Sequence, residues 1–277
     1  LRVVNELFIL DCGDASLLGR LNVVRKLFIL SSLMLGVCLP TSALAQTSTP
    51  VADYWPPTRS PNGWTVYLAA ATHSGNNQGC PQISGAPYTE TEGAQQIGFE
   101  AITATGFGNY LNFRGRGYHT WLSSPLDSRA TISRRLSDAR ALGIDIYLPI
   151  HSNAGRVSCD ALQTNGGAWQ MYAPDNGGFN FDLAQKLNAL LSPVTPGTND
   201  RVDLWNNLVD TSRVSNLREA TEPTSANPAL GFALSNVYIE SEFHSWQPGV
   251  NYILYDNTWK TRIAEAVSWH LGYPELY

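Results

Sequence analysis

Leu148-Pro149-Ile150-His151-Ser152-Asn153-Ala154-Gly155 is an apolar run that ends on one imidazole and opens at once into a loop of small residues. A short apolar run bounded by such a loop reads as a buried strand. It sets a histidine at a strand's carboxyl end, where layered α/β domains hold their ligands. Taken alone, that histidine fits a structural or solvated role as well as it fits a metal ligand or a catalytic base.

Its surroundings shift the balance. Upstream, Trp64 to Thr72 (WTVYLAAAT) reads as a second buried strand and runs directly into His73-Ser74-Gly75-Asn76-Asn77. A loop rich in Gly, Asn and Pro follows and closes at Tyr88-Thr89-Glu90-Thr91-Glu92. Beyond it Ala94, Ile97, Ala101 and Ile102 fall at helical spacing. The order strand, loop, helix, strand predicts an α/β fold, a single layered domain with a mostly parallel or mixed central sheet flanked by helices.

Glu90 and Glu92 stand in the first turn of that helix, where a carboxylate gains from the helix dipole and either could serve as a cap. The alternative is metal ligation. Two neutral imidazoles, His73 and His151, with one of these carboxylates make a three-ligand set for zinc that leaves a fourth position for water. Short signatures such as H-E-x-x-H are absent, so the ligands would have to converge through folding. Late in the chain, Ser235 to His244 (SNVYIESEFH) reads as a further strand, on which alternation puts Tyr238, Glu240 and Glu242 on one face. A carboxylate there could take a proton from the activated water and return it to a leaving amine, and Glu240 is the choice for that role.

In this order the residues resemble the zinc-dependent N-acetylmuramoyl-L-alanine amidases of bacterial cell-wall turnover, over roughly residues 62–274. Ile150-His151-Ser152-Asn153-Ala154 is similar to the family's Ile-His-x-Asn-Ala. Thr89-Glu90 with Ile97-Gly98 resembles its helix-opening glutamate, which ranks Glu90 above Glu92. Glu240 with Phe243 resembles its valine-glutamate-x-x-phenylalanine strand, and Asn216-Leu217-Arg218-Glu219-Ala220 its Leu-Arg segment. Thr72-His73-Ser74-Gly75 departs from the usual Asp-x-Gly-His-Gly-Gly.

The resemblance implies one zinc ion per chain on His73, Glu90 and His151, with Glu240 as acid/base. The reaction implied is hydrolysis of the amide between N-acetylmuramic acid and the L-alanine of the stem peptide, on peptidoglycan or a muropeptide. Arg218 would bind a stem carboxylate, and Asn153 and His244 would contact substrate. The competing readings are a zinc peptidase acting on the stem, and a wall-binding protein of the same fold without activity.

At the N-terminus, Val24-Arg25-Lys26, the apolar run Leu27 to Leu39 and Ala43-Leu44-Ala45 have the layout of a secretory signal peptide, residues 24–45. The apolar run is shorter than the about 20 residues a membrane span needs. Residues 1–23 are then expected to be an upstream mistranslated or disordered segment, 46–61 a flexible Thr/Ser/Pro-rich leader, and 62–277 the catalytic domain. The expected product is exported, periplasmic or extracellular after cleavage near Ala45-Gln46, without stable membrane insertion, and monomeric. A lipid-attachment box at Leu35-Gly36-Val37-Cys38 is the alternative. Processing would remove Cys12 and Cys38 of the four cysteines and leave Cys80 and Cys159, which an oxidising compartment would pair as a disulfide. A formal charge of −5 without a basic block in the mature chain excludes nucleic acid as a partner.

Elsewhere, strands are expected at 110–113 and 169–172 and helices at about 128–142, 179–191 and 258–271. Arg129, Arg134, Arg135 and Arg140 read as a solvated helix face, and His119 as a surface loop residue. The stretch 192–227 reads as long loops flanking a cleft.

Overall fold

A computed structural model of the chain describes residues 49–273 other than 73–77, 106–110, 125–126, 155–158, 160–165, 176 and 206–216. The segment 24–45 expected to be a signal peptide, the upstream segment 1–23 and His73 therefore lie outside the described residues. The strands are β1 (Ala52–Trp55), β2 (Thr65–Ala70), β3 (Gln78–Pro81), β4 (Pro87–Thr89), β5 (His119–Ser123), β6 (Ile146–Asn153), β7 (Trp169–Tyr172), β8 (Arg201–Leu204), β9 (Ser235–Asn236) and β10 (Tyr238–Phe243). The helices are α1 (Glu90–Thr103), α2 (Ile132–Leu142), α3 (Phe179–Leu191), α4 (Leu217–Thr221), α5 (Gln247–Tyr255) and α6 (Thr261–His270).

Eight strands form one mixed sheet in the order β1-β5-β2-β6-β10-β7-β8, with β9 also paired to β6, and β3 and β4 form a separate hairpin. Strands β5, β2, β6 and β10 run parallel to their neighbours, while β1 and β7 join antiparallel. The predicted α/β layering with a mixed, flanked sheet is the observed one.

Parallel strands are covered on both faces, which is why β2 and β6 read as continuous apolar runs rather than as alternation. Val66, Leu68 and Ala70 of β2, Ile146, Leu148 and Ile150 of β6 and Ile239 of β10 pack on one face. There they meet Ile97 and Ala101 of α1, Leu187 of α3, Ile253 of α5 and Ile263 of α6. Tyr67 and Ala69 of β2 and Tyr147 of β6 turn to the other face, against Leu136 and Ala139 of α2. Local signals set the ends of these helices. Thr89 caps α1 by accepting the Glu92 amide, and Thr131 caps α2 by accepting that of Arg134. Gly143 stops α2 in the left-handed conformation.

Several expectations are revised. The segment 49–61 is not a loose leader throughout: β1 pairs with β5 from Ala52↔Ser123 to Trp55↔Thr120, and Val51 is buried with its amide donating to Asp138 (2.7 Å). Thr, Ser and Pro around this short strand hid it. Residues 111–113 lead into a turn instead of forming a strand; the strand of this region is β5, which begins at His119, and that ring lies 2.6 Å from the Tyr54 hydroxyl. The run 235–244 splits into β9 and β10, both on β6. Within 192–227 lie β8 and α4.

If β1 belongs to the domain, deleting residues 50–55 removes a strand and the buried Val51, whose side chain alone stabilises by about 2 kcal/mol. The expected outcome is a clearly lower melting temperature by circular dichroism. An unchanged transition would mean that this segment is a dispensable tether.

Candidate active site

The carboxyl ends of the parallel strands gather the polar residues of the sequence motifs. His151 lies on β6 two residues before its end, so the strand continues past the imidazole instead of finishing on it. Glu240 of β10 is its direct neighbour in the parallel ladder. Glu90 opens α1, and its Oε1 lies 2.8 Å from His151 Nδ1; both side chains are 2% exposed. The Ser152 amide donates to the same Glu90 oxygen (3.2 Å). The Tyr238 ring stacks on the imidazole at 4.3 Å and 18°. The buried Glu240 Oε2 has no hydrogen-bond partner among the described residues.

A carboxylate to which the motif reading gave no role joins them. Glu219, on the short α4, stands 3.9 Å from His151 Nε2 through its Oε2. It accepts from Arg135 Nε (2.9 Å) and Nη2 (2.7 Å), and from the Tyr147 hydroxyl (2.7 Å). Both members of the Arg135–Glu219 pair are fully shielded from solvent, which corrects the reading of Arg135 as part of a solvated face. The Asn236 amide of β9 fixes α4 by donating to the Glu219 and Ala220 carbonyls (2.7 Å each). Arg135 Nη1 also donates to the Ala70 carbonyl (2.9 Å) and the Thr72 hydroxyl (2.8 Å), at the end of β2 immediately before His73. The detectable signal was helical phase: Arg135 is adjacent to Leu136 and one turn from Ala139, on the buried side of α2.

Electrostatics follow from this crowding. Burial alone would depress the His151 pKa, but the nearby Glu219 carboxylate, the hydrogen bond with Glu90 and the charges of Glu90 and Glu240 outweigh it and hold the ring up to about 9. Burial pushes the Glu240 carboxyl up to about 8, with His151 opposing and Glu90 reinforcing the shift. Burial would also raise Glu219, yet Arg135 and His151 bring it down to about 2. At neutral pH the ionised Glu90 and Glu219 thus face a charged imidazole and a guanidinium while Glu240 favours its proton, so a cation entering here would displace protons from His151 and Glu240.

The donors suit a borderline cation such as zinc, one imidazole nitrogen and one carboxylate oxygen already in contact. Among the described residues no group of three or more His, Cys, Asp or Glu is arranged to hold a metal ion. His73, the third ligand of the pattern, lies outside them.

The remaining sequence candidates separate clearly. Glu92 is exposed and accepts from Gln82 (2.8 Å), while its amide serves the Thr89 cap, so Glu90 alone of the two reaches His151. Glu242 does not share the site with Glu240. The ladder pairs Glu240 with His151 and Phe243 with Asn153, so one extra residue intervenes and the alternation breaks. Glu242 instead accepts from Thr195 (2.5 Å) and the amides of Gly167 (2.7 Å) and Gly197 (3.1 Å), tying two loops together. These loops touch backbone to backbone, and a Cβ on Gly197 would fall 2.0 Å from the Gly166 carbonyl carbon.

His244 is 1% exposed, with Nδ1 at 2.9 Å from the Ser152 hydroxyl and its ring stacked on Tyr88. That is a packing position behind β6, not the substrate-facing one expected. Asn153 is half-buried and turns its Oδ1 to the Ala154 amide (2.8 Å). Arg218 is exposed and engaged with Glu222 (2.5 Å) and Ser133 (2.6 Å), so it is not poised for a ligand.

Cys80, on β3, is bonded to Cys159, 79 positions away. The link joins the segment after β2 to the segment after β6, so these two strands are tied beyond their carboxyl ends. No described helix is long and apolar enough to cross a membrane.

A layered α/β domain with its polar cluster at the carboxyl ends of parallel strands defines the class. Within it, the fold is that of N-acetylmuramoyl-L-alanine amidase catalytic domains. The chain is similar to the catalytic domain of CwlV, an amidase of this type from Bacillus (Paenibacillus) polymyxa var. colistinus. The TM-score is 0.50 at 16% identity, over 76% of this chain and 99% of that one. Lower-scoring likenesses are the amidase AmiC2 of Nostoc punctiforme (TM-score 0.48, 15% identity, 77% and 98% covered) and Ami1 from Mycobacterium smegmatis (0.47, 14%, 77% and 99%). No protein-family profile matches the sequence, and no curated protein matches it.

Closing a loop of this length, the disulfide should stabilise the domain by about 4 kcal/mol. A chain beginning at Gln46 should show no free thiol when denatured, and Cys80→Ser/Cys159→Ser should melt well below it. Two titratable thiols in the oxidised secreted protein would contradict the pairing.

Proposed function

We propose that the chain is a zinc-dependent N-acetylmuramoyl-L-alanine amidase that releases stem peptides from peptidoglycan. The observation that carries this reading is the meeting of the buried Glu90 and His151 with the half-buried Glu240 at the carboxyl edge of a sheet with the amidase fold. His73, Glu90 and His151 would hold the metal. When bound, the zinc ion would polarise the scissile amide and make water acidic enough to attack at neutral pH.

The protein's own part is to place and move a proton. Glu240 sits beside His151 and keeps one oxygen without a partner among the described residues, so it can take a proton from the attacking water and deliver it to the departing L-alanine nitrogen. Burial favours its protonated form, which suits the delivery half of that cycle. Water is kept from the cluster by Tyr238 on one side and the Tyr147–Glu219–Arg135 group on another.

The row continues across the sheet on the same face: Glu240 pairs with Trp169, and Trp169 with Arg201, whose guanidinium lies 3.7 Å over the indole ring. Arg201 also pairs with Asp203 (3.3 Å), but unlike Arg218 it lies on the row of Glu240, which makes it the candidate to meet a stem carboxylate. Export fits this reading, because the Cys80–Cys159 bond requires an oxidising compartment and the 24–45 segment has the layout of a signal peptide.

The purified mature chain should carry about one zinc ion and release from peptidoglycan intact stems with a new L-alanine amino end. Shortened stems left on glycan would point to a peptidase, and no new amine ends from zinc-loaded protein would mean an inactive wall-binding protein. Glu240→Gln should keep its zinc and lose about 10²- to 10⁴-fold in kcat. His73→Ala and His151→Ala should lose the metal. Arg201→Ala should raise KM for the muropeptide with kcat nearly unchanged, as expected for uniform binding; a fall in kcat alone would place Arg201 outside that role.

A further inference from the structure

The two nitrogens of His151 face different partners. Nδ1 is 2.8 Å from Glu90, the other described ligand of the proposed metal, and Nε2 is 3.9 Å from the Glu219 carboxylate. The stacked Tyr238 ring fixes the imidazole plane, so the ring cannot exchange these partners without repacking. Glu219 in turn has little freedom. Both of its oxygens are held by Arg135, one also accepts from Tyr147, and Asn236 anchors the backbone of α4 beneath it.

We propose that Glu219 is a positioning residue for the metal: its charge, 3.9 Å from Nε2, favours the His151 tautomer that carries its proton on Nε2 and leaves the Nδ1 lone pair for the divalent cation. Carboxylates behind ligating histidines orient the ring and raise its basicity. Arg135 extends the same device to the other histidine strand. One face of its guanidinium grips Glu219, while Nη1 holds the Ala70 carbonyl and the Thr72 hydroxyl, directly ahead of His73. A single buried ion pair thereby sets both histidine-bearing strands relative to each other. The sequence motifs contain neither residue of the pair as a ligand, and the inference rests on the zinc amidase reading above.

The test uses the mature chain and zinc alone, with dissociation constants from competition against a chromophoric chelator. Glu219→Gln should weaken zinc by about 10- to 100-fold. Because that change leaves Arg135 buried opposite a neutral group, Arg135→Met/Glu219→Leu is the companion variant, which removes both charges together. It should melt close to the wild type without metal and still bind zinc about 10- to 100-fold more weakly. Zinc binding by the paired variant equal to that of the wild type would overturn the proposal while leaving the amidase reading intact. A wild-type chain that takes up no zinc would overturn both.

A measurement on the unmodified chain does not depend on either variant folding. With cadmium-113 in place of zinc and nitrogen-15 in the histidines, scalar coupling should appear at His151 Nδ1 with a proton retained on Nε2. Coupling at Nε2 would reject the assignment.

Discussion

Two charges without water around them, the Arg135 guanidinium and the Glu219 carboxylate, impose the geometry of everything near the sheet's carboxyl edge. A buried pair of this kind adds little stability compared with apolar residues of the same volume, because desolvation cancels most of the attraction. Its effect is directional. The planar fork accepts one arrangement of the carboxylate, and the remaining donors of the arginine reach the backbone of β2. The helix that carries Arg135, the short helix that carries Glu219 and the strand that leads to His73 are thus locked to one another by hydrogen bonds whose loss would leave buried groups unsatisfied.

The sheet supplies the second constraint. Because β2, β6 and β10 run in the same direction, their ends open at one edge, and residues far apart in sequence meet there. Register decides which of them meet. The extra residue between Glu240 and Phe243 turns Glu242 away to clamp the 166–167 and 195–197 loops and leaves Glu240 beside His151. Two neighbouring acids of the same type therefore hold unlike posts, one within the polar cluster and one as a strut.

Much of the fold was legible because the buried parallel strands are apolar without interruption and α3 is cleanly periodic; its bounds, Phe179–Leu191, coincide with those expected. The Thr89-Glu90 pair and the histidine of the Ile-His-x-Asn-Ala segment likewise led to the right edge of the sheet. What escaped notice shares one property: its meaning comes from tertiary contact. β1 is four residues long with exposed Asp53 and Tyr54, so no period announces it. Arg135 looks like its solvated neighbours Arg134 and Arg140 until its partner on α4 is known. His244 and Arg218 look available in sequence, and packing against Tyr88 or pairing with Glu222 takes them out of use.

The strand order carries a consequence for biosynthesis. A chain emerging N-terminus first presents β1 long before β5, its only neighbour in the sheet, and presents β6 long before β10 fills the place at its side. The cluster draws on residues from Glu90 to Glu240, so it cannot assemble until the chain has emerged past β10. A nascent fragment that stops before β10 would lack Glu240 and leave the side of β6 open, an order of assembly that follows from topology alone.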